Sequence, residues 1–326
     1  MFSVPVLTGL AIAAAAAAFI GLMTAMRRRT GDPGLPPSDM PGQVDSPGSV
    51  QNDLSELGKR LGVSKDVLER FETGYRIAEI PKARGGVRRL EIPDDETMKL
   101  QRTILRRLLA ALDIHPFACG FEPGTSIVDA ATPHEGRLVV VKMDIRQFFE
   151  STTEERILAY FQGIGWDVST SETLVRLTTY DGHLPQGAPT SPKISNLVNA
   201  PLGEALMRLA RRHNGAYSRY ADDITMSFDI RKGRVVRGLT QVVRRILKSY
   251  GYTMHGGKKL KILRRNQRQQ VLGLVVNEKT ALPRKTRRWL RAVRHHASVG
   301  KPTSLTMPQL EGWESLLQMV ETQRDE

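Results

Sequence analysis

Two stretches of the sequence place carboxylates beside apolar, β-branched runs. One is Val140-Val141-Lys142-Met143-Asp144-Ile145-Arg146-Gln147-Phe148-Phe149, and the other is Tyr220-Ala221-Asp222-Asp223-Ile224-Thr225-Met226. A lone aspartate after a strand is ordinarily a turn or helix-cap residue. An adjacent pair among apolar neighbours is different, because two carboxylates repel unless cations or protons compensate. A hard divalent cation such as Mg²⁺ takes oxygen ligands and would supply that compensation. With Asp144 added from a neighbouring strand, the set suits two metal ions clamping the attacking and leaving oxygens of a phosphoryl transfer. Acid–base hydrolysis by the pair itself is disfavoured, since both residues lie on one short turn and cannot flank a scissile bond.

The elements that must position these groups can be read from periodicity. Residues 137–145 form a strand, because Leu138-Val139-Val140-Val141 is too short and too β-branched for a helix. Residues 217–228 alternate around the Asp222-Asp223 pair, as a hairpin does. Residues 75–93 read as a second hairpin with a basic tip at Gly85-Gly86, and residues 270–277 as strand. Helical spacing marks 53–72 (one or two short helices), 96–112, 153–161, 171–178, 195–213 and 234–250. Helices mixed with a small antiparallel sheet make an α+β pattern.

Charge narrows the partners. The 326 residues carry 48 Lys and Arg against 34 Asp and Glu, a net +14. Between Arg231 and Lys301 there are 21 basic residues and one acidic residue, Glu278. Such a segment would repel itself without a polyanion, and interruption by apolar runs such as Val271 to Val276 favours nucleic acid over a lipid-binding helix. The single cysteine, Cys119, excludes a disulfide framework and a multi-cysteine zinc site, and reads as a small buried residue. His134, His183 and His255 lack metal-ligand spacing and read as structural.

The N-terminus differs in kind. Residues 1–26 hold no charge and are followed by Arg27-Arg28-Arg29. An apolar helix over 1–29, with residues 4–26 as an inner-membrane anchor, would leave the catalytic bulk in the cytoplasm by the positive-inside rule. A cleaved signal segment, a buried alanine-rich helix and a later start codon are the alternatives. Residues 30–52 hold five prolines and read as a linker without fixed structure.

Beyond the aspartates, several motifs occur in order. Lys82-Ala83-Arg84-Gly85-Gly86-Val87-Arg88, Pro93 and Gln101-Arg102-Thr103-Ile104-Leu105 come first. The Asp144-x-x-x-Phe148-Phe149 element follows, then Pro185-Gln186-Gly187-Ala188-Pro189-Thr190-Ser191-Pro192 and Tyr220-Ala221-Asp222-Asp223. Gly251-Tyr252, Lys258-Lys259 and Arg268-Gln269-Gln270-Val271-Leu272-Gly273-Leu274-Val275-Val276-Asn277 close the series. From about residue 75 to 277 the chain resembles the reverse transcriptases, and among them the bacterial retron-type enzymes. Two elements depart from the retron pattern: Val271-Leu272-Gly273 stands where those enzymes carry Val-Thr-Gly, and Ala130-Ala131-Thr132-Pro133-His134 where they carry Asn-Ala-x-x-His. In those enzymes both elements belong to the retron-specific apparatus, so the resemblance implies that the departures bear on recognition of a cognate RNA and not on nucleotide addition.

The resemblance implies a right-hand polymerase: fingers over 53–135 with an insert near 151–185, palm over 136–280, and a thumb over 281–326. It implies RNA-directed DNA synthesis on an RNA template from a DNA or RNA primer, with deoxynucleoside triphosphates as substrates. Asp144, Asp222 and Asp223 would be the catalytic residues and hold two Mg²⁺ ions. Phe149 would be a steric gate against the ribose 2′-hydroxyl. Lys82 and Arg88 would grip the incoming phosphates, Gln186 and Gly187 would line the nascent base pair, and Lys258 would sit near the leaving pyrophosphate. Arg284, Lys285, Arg287, Arg288 and Arg291 would follow a nucleic-acid backbone, and Trp289 among them reads as packed in its own domain. A cognate structured non-coding RNA, an effector protein and a part in antiviral defence are family-level expectations. The alternatives are a catalytically silent, RNA-binding polymerase fold serving as a membrane-associated defence component, and an RNA-synthesising palm polymerase, against which Phe149 speaks.

Overall fold

The computed structural model describes residues 52–82 and 85–325. The apolar helix expected over 1–29 and the linker up to residue 51 lie outside the described residues. Among those described, no helix is long and apolar enough to cross a membrane.

The catalytic stretch is built on a five-stranded antiparallel sheet. Its central strand, β3 (Val139–Arg146), pairs on one side with β5 (Asp223–Phe228), which pairs in turn with β4 (Ala216–Tyr220). On its other side β3 pairs with the short β6 (Thr253–Met254) and with β7 (Lys261–Arg264). Alternation sorts the two faces. Val139, Val141, Met143 and Ile145 point into the core with Ile224, Met226 and Phe228, and two helices cover that face. These are α8 (Ala200–Arg212), through Leu202, Leu206 and Ala210, and α9 (Gly233–Ser249), through Val236, Leu239, Val243 and Leu247. Each such aliphatic residue contributes about 1.5–3 kcal/mol of gross burial energy, so the covered face is strongly fixed. Lys142 and Asp144 point to the opposite face, with Asp223 and Thr225.

A second core joins the N-terminal helices to a later helical segment. Here α1 (Leu54–Leu61), α2 (Lys65–Arg70) and α3 (Asp95–Arg107) pack on α5 (Glu154–Gly163), α6 (Val168–Thr178) and α7 (Ser191–Val198), through Leu57, Leu68, Ile104, Phe161, Leu174 and Ile194 among others. Between α2 and α3 the hairpin of β1 (Tyr75–Pro81) and β2 (Val87–Pro93) is closed at its tip by the Lys82 N–H donating to the Gly86 carbonyl, 2.9 Å. The short α4 (Ile127–Ala131) leads through a 3₁₀ turn (Thr132–His134) to β3. A small hairpin of β8 (Gln270–Val271) and β9 (Leu274–Val275) turns at Leu272-Gly273, with φ of +46° and +90°.

Residues 284–319 belong to a separate compact unit. In it α10 (Arg284–Ser298) packs on α11 (Met307–Asp325) through Val293, Leu305 and Leu310. Trp289 meets Trp313 edge-on, centroids 5.6 Å apart, which places it in its own small core as expected.

Two element boundaries differ from the sequence reading, and the turn after β3 fixes two aromatic side chains. The helix expected over 195–213 is two: α7 ends at Val198 and α8 begins at Ala200, because Pro201 lacks an N–H for a continuing ladder and suits a first turn. The helix expected to reach residue 112 ends at Arg107 and tightens into a 3₁₀ turn over Leu109–Ala111, which buries Leu108 and Leu109 together. Phe148 and Phe149 follow a strand that has already ended at Arg146, and a turn begins at Gln147, φ +49°. They therefore do not alternate across a sheet: Phe148 is buried, and Phe149 is half-buried and packs against both cores.

Candidate active site

Long-range pairing brings the three aspartates together. Asp144 and Asp223 are the last register partners of the β3–β5 ladder, so their side chains share one face. Asp222 sits in the two-residue turn between β4 and β5, where Ala221 takes a left-handed φ of +52°. That turn is tied to β3 by the Ile145 N–H donating to the Asp222 carbonyl, 2.9 Å. A non-glycine residue in this region is held only when its surroundings over-determine it. Gly120 supplies part of that constraint, since a side chain there would press on Tyr220 and the Ala221 backbone.

Basic side chains already meet the cluster. Lys259 Nζ lies 2.8 Å from Asp144 Oδ1, His255 Nε2 lies 3.6 Å from the same oxygen, and Lys142 Nζ lies 3.2 Å from Asp223 Oδ2. Among the described residues Asp222 has no such partner, and burial first, then the charge of Asp144, pushes its carboxyl up to about 6. Burial also raises Asp223, against the pull of Lys142. Among the described residues no three carboxylates, imidazoles or thiols form a ready-made metal cage. The cluster nevertheless fits hard cations: three carboxylates with oxygen donors only, one of them without an ion-pair partner among the described residues, carry more negative charge than the two lysines neutralise.

Behind the aspartates, the same face of the sheet is sealed by His134. Its two ring nitrogens bond Ser227 Oγ (2.7 Å) and Ser218 Oγ (2.9 Å), and burial lowers it to about 3, so it is neutral. The structural role expected for it holds, as does that of buried Cys119.

The family model for reverse transcriptase (RNA-dependent DNA polymerase) matches residues 80–276. The chain is 33% identical over 298 residues to the retron Mx65 reverse transcriptase of Myxococcus xanthus, covering 83% of this chain and 69% of that one. It is 32% identical over 281 residues to the retron Ec86 reverse transcriptase of Escherichia coli, covering 84% and 86%. The chain belongs to the reverse transcriptase family. It is a retron-like RNA-directed DNA polymerase, and the aspartates of the shared sheet face lie inside the matched region.

Other residues expected at a reverse transcriptase site fall in several places. Lys82 and Arg88 are both exposed at the outer end of the β1–β2 hairpin. Gln186 and Gly187 lie in the loop before α7, where the Gln186 carbonyl accepts from the Glu91 N–H of β2, 3.0 Å. With φ +144°, a side chain at Gly187 would come within 2.8 Å of the Glu91 carbonyl, so the close approach it permits is to strand β2 of the protein itself. Lys258 lies in a 3₁₀ turn (Gly257–Lys259), and its side chain lies outside those described. Arg284, Lys285, Arg287, Arg288 and Arg291 are all exposed on α10.

Sequence reasoning missed three side chains. His255 and Lys259 reach Asp144 because the His255 N–H donates to the Asp144 carbonyl (2.8 Å), a pairing no local motif announces. Arg219 is fully buried on the core face of β4 and, among the described residues, has no carboxylate partner. Its Nη1 donates to the Ala221 carbonyl at 3.3 Å and its guanidinium stands 5.5 Å from the Phe148 ring, while Nε and Nη2 find no acceptor among the described residues. Phe148 in turn meets Phe149 edge-on at 5.4 Å. The usable signal was a charge at an inward strand position immediately before the aspartate turn.

Proposed function

We propose that Asp144, Asp222 and Asp223 are the catalytic residues and hold two Mg²⁺ ions during template-directed addition of deoxynucleotides. The observation that carries this is the Asp144–Asp223 register pair with Asp222 at the adjoining turn, its carboxyl pushed up to about 6 by burial and by Asp144. When bound, the ions would supply the charge that activates a primer 3′-hydroxyl and holds a triphosphate. The chain's own part is to fix three carboxylates on a rigid sheet. Lys259 and Lys142 balance them until the ions arrive. Phe149, half-buried between two cores and braced by Phe148, is stiff enough to act as the gate against a 2′-hydroxyl.

In this reading the fingers are residues 53–135 with the 151–185 insert, a division supported by the core those segments share. The palm is 136–280 and the thumb 281–326. Lys82 and Arg88 would meet the triphosphate, with Arg suited to bidentate contact. Gln186, Gly187 and Lys258 would lie along the nascent pair and the leaving group, and the cations of α10 would contact a phosphate backbone. The retron likeness supports a cognate structured RNA as template; an effector protein and a role in antiviral defence extend it further. The uncharged residues 1–26 followed by three arginines support attachment to the inner membrane. Retention of the full chain in membranes after an alkaline wash would bear that out, and its release would remove it.

The test is incorporation of dTTP on a poly(rA)/oligo(dT) template with Mg²⁺ by the full chain and by an Asp222→Ala, Asp223→Ala variant. Synthesis by the first and none by the second is expected. Equal synthesis by both would remove the aspartates from the chemistry.

A further inference from the structure

Helix α9 carries charge that the catalytic cleft cannot use. Over its 17 residues it holds Arg234, Arg237, Arg244, Arg245 and Lys248 and no acidic residue. All five are exposed, while Val236, Leu239, Val243 and Leu247 hold the opposite side of the helix in the core. Among the described residues, none of the five pairs with a carboxylate. Arg244 donates only to Gln241 of the same helix. Sequence reading gave the whole basic segment, residues 231–301, a nucleic-acid partner, and a template–primer pair in the catalytic cleft would be its simplest form. The sheet excludes that for α9: its buried side chains pack on the Met143 face, and Asp144 and Asp223 stand on the other. A sheet and a helix about 10 Å across separate the outer cations from the aspartates.

We propose that the outer face of α9 is a second nucleic-acid surface, which binds a base-paired segment of RNA outside the cleft. This rests on the RNA-copying function and adds where a folded part of the RNA is held. Five like charges on one face, spread over about 20 Å of helix, repel one another and are relieved by a row of phosphates. A single strand would call for aromatic stacking platforms, and the exposed face of α9 offers none. A lipid surface would call for apolar side chains on the same face, where Val235 stands alone.

The experiment uses the full chain, an Arg237→Glu, Arg244→Glu, Lys248→Glu variant and the matching glutamine variant, which guards against misfolding through charge reversal. Two quantities are read: affinity for an RNA hairpin with a stem of about 20 base pairs across a salt series, and dTTP incorporation on poly(rA)/oligo(dT). Both variants are expected to bind the hairpin at least about tenfold more weakly, with the salt slope reduced by about 2 to 3, and to keep incorporation within about twofold. Unchanged affinity and slope would make the face a merely solvated one and overturn the proposal. Parallel loss of incorporation would also overturn it, by placing the helix on the template–primer path. So would loss of binding to vesicles containing phosphatidylserine with hairpin binding intact. If the wild-type chain binds the hairpin through this face yet incorporates nothing, the copying mechanism fails and the surface stands.

Discussion

Lys259 Nζ lies 2.8 Å from Asp144 Oδ1, so an ammonium group occupies one side of the carboxylate that pairs in register with Asp223. A divalent cation must compete with it. The lysine is half-exposed, and its ion pair is worth no more than about 1 kcal/mol. Lys259→Gln is therefore expected to lower the Mg²⁺ concentration that half-saturates thermal stabilisation, by about three- to fivefold. A higher requirement would mean that the lysine assists the metal site instead.

Asp222 gives a pH dependence with a definite sign. Its folded carboxyl is raised to about 6 from 3.8, so its contribution to stability is fully present below the unfolded value and is lost as pH rises through about 6. Above that, ionised Asp222 destabilises the metal-free fold by about 2 kcal/mol after allowance for its partial exposure. Asp222→Asn should melt higher than the wild type at about pH 8 without metal, and the gap should close toward about pH 4. A gap that persists at the acid end would place the effect elsewhere than in this charge.

The order of the motifs, the α+β mixture and the strand-and-hairpin pair that carries the aspartates were legible because each is local: a β-branched run, a turn flanked by alternation, a helical spacing. What each element faces was not. Helix α9 has the same amphipathic pattern whichever face of the sheet it covers, and only the pairing of β3 with β5 and the packing of Val243 and Leu247 fix its charges behind the catalytic face. His255 and Lys259 are ordinary loop residues until β6 joins β3. Gly187 lies against Glu91, nearly a hundred residues earlier, a contact that no local pattern announces. The break at Asn199 was available from Pro201 and was outweighed by the apolar period on either side of it.

Phe149 touches Phe148, whose ring faces the Arg219 guanidinium, and Arg219 in turn bonds the Ala221 carbonyl. Phe149→Ala is expected to reduce the preference for dTTP over UTP by about tenfold or more, equivalent to at least ~1.4 kcal/mol of discrimination. Because the preference is a ratio measured on one preparation, it does not depend on how much of the protein is folded. Arg219→Met, which removes the brace and keeps the bulk, should shift the same ratio in the same direction but less. An unchanged ratio in Phe149→Ala would show that another side chain excludes the 2′-hydroxyl.

The most direct measurement is the number of Mn²⁺ ions bound by the full chain with a primer–template and a non-hydrolysable deoxynucleotide, read by paramagnetic resonance beside single-turnover extension of the same sample. Two bound ions are expected for the wild type. An Asp144→Asn, Asp222→Asn variant should lose at least one ion and about a thousandfold or more in extension rate. Two ions and normal extension in that variant would contradict the assignment of the chemistry to this face of the sheet.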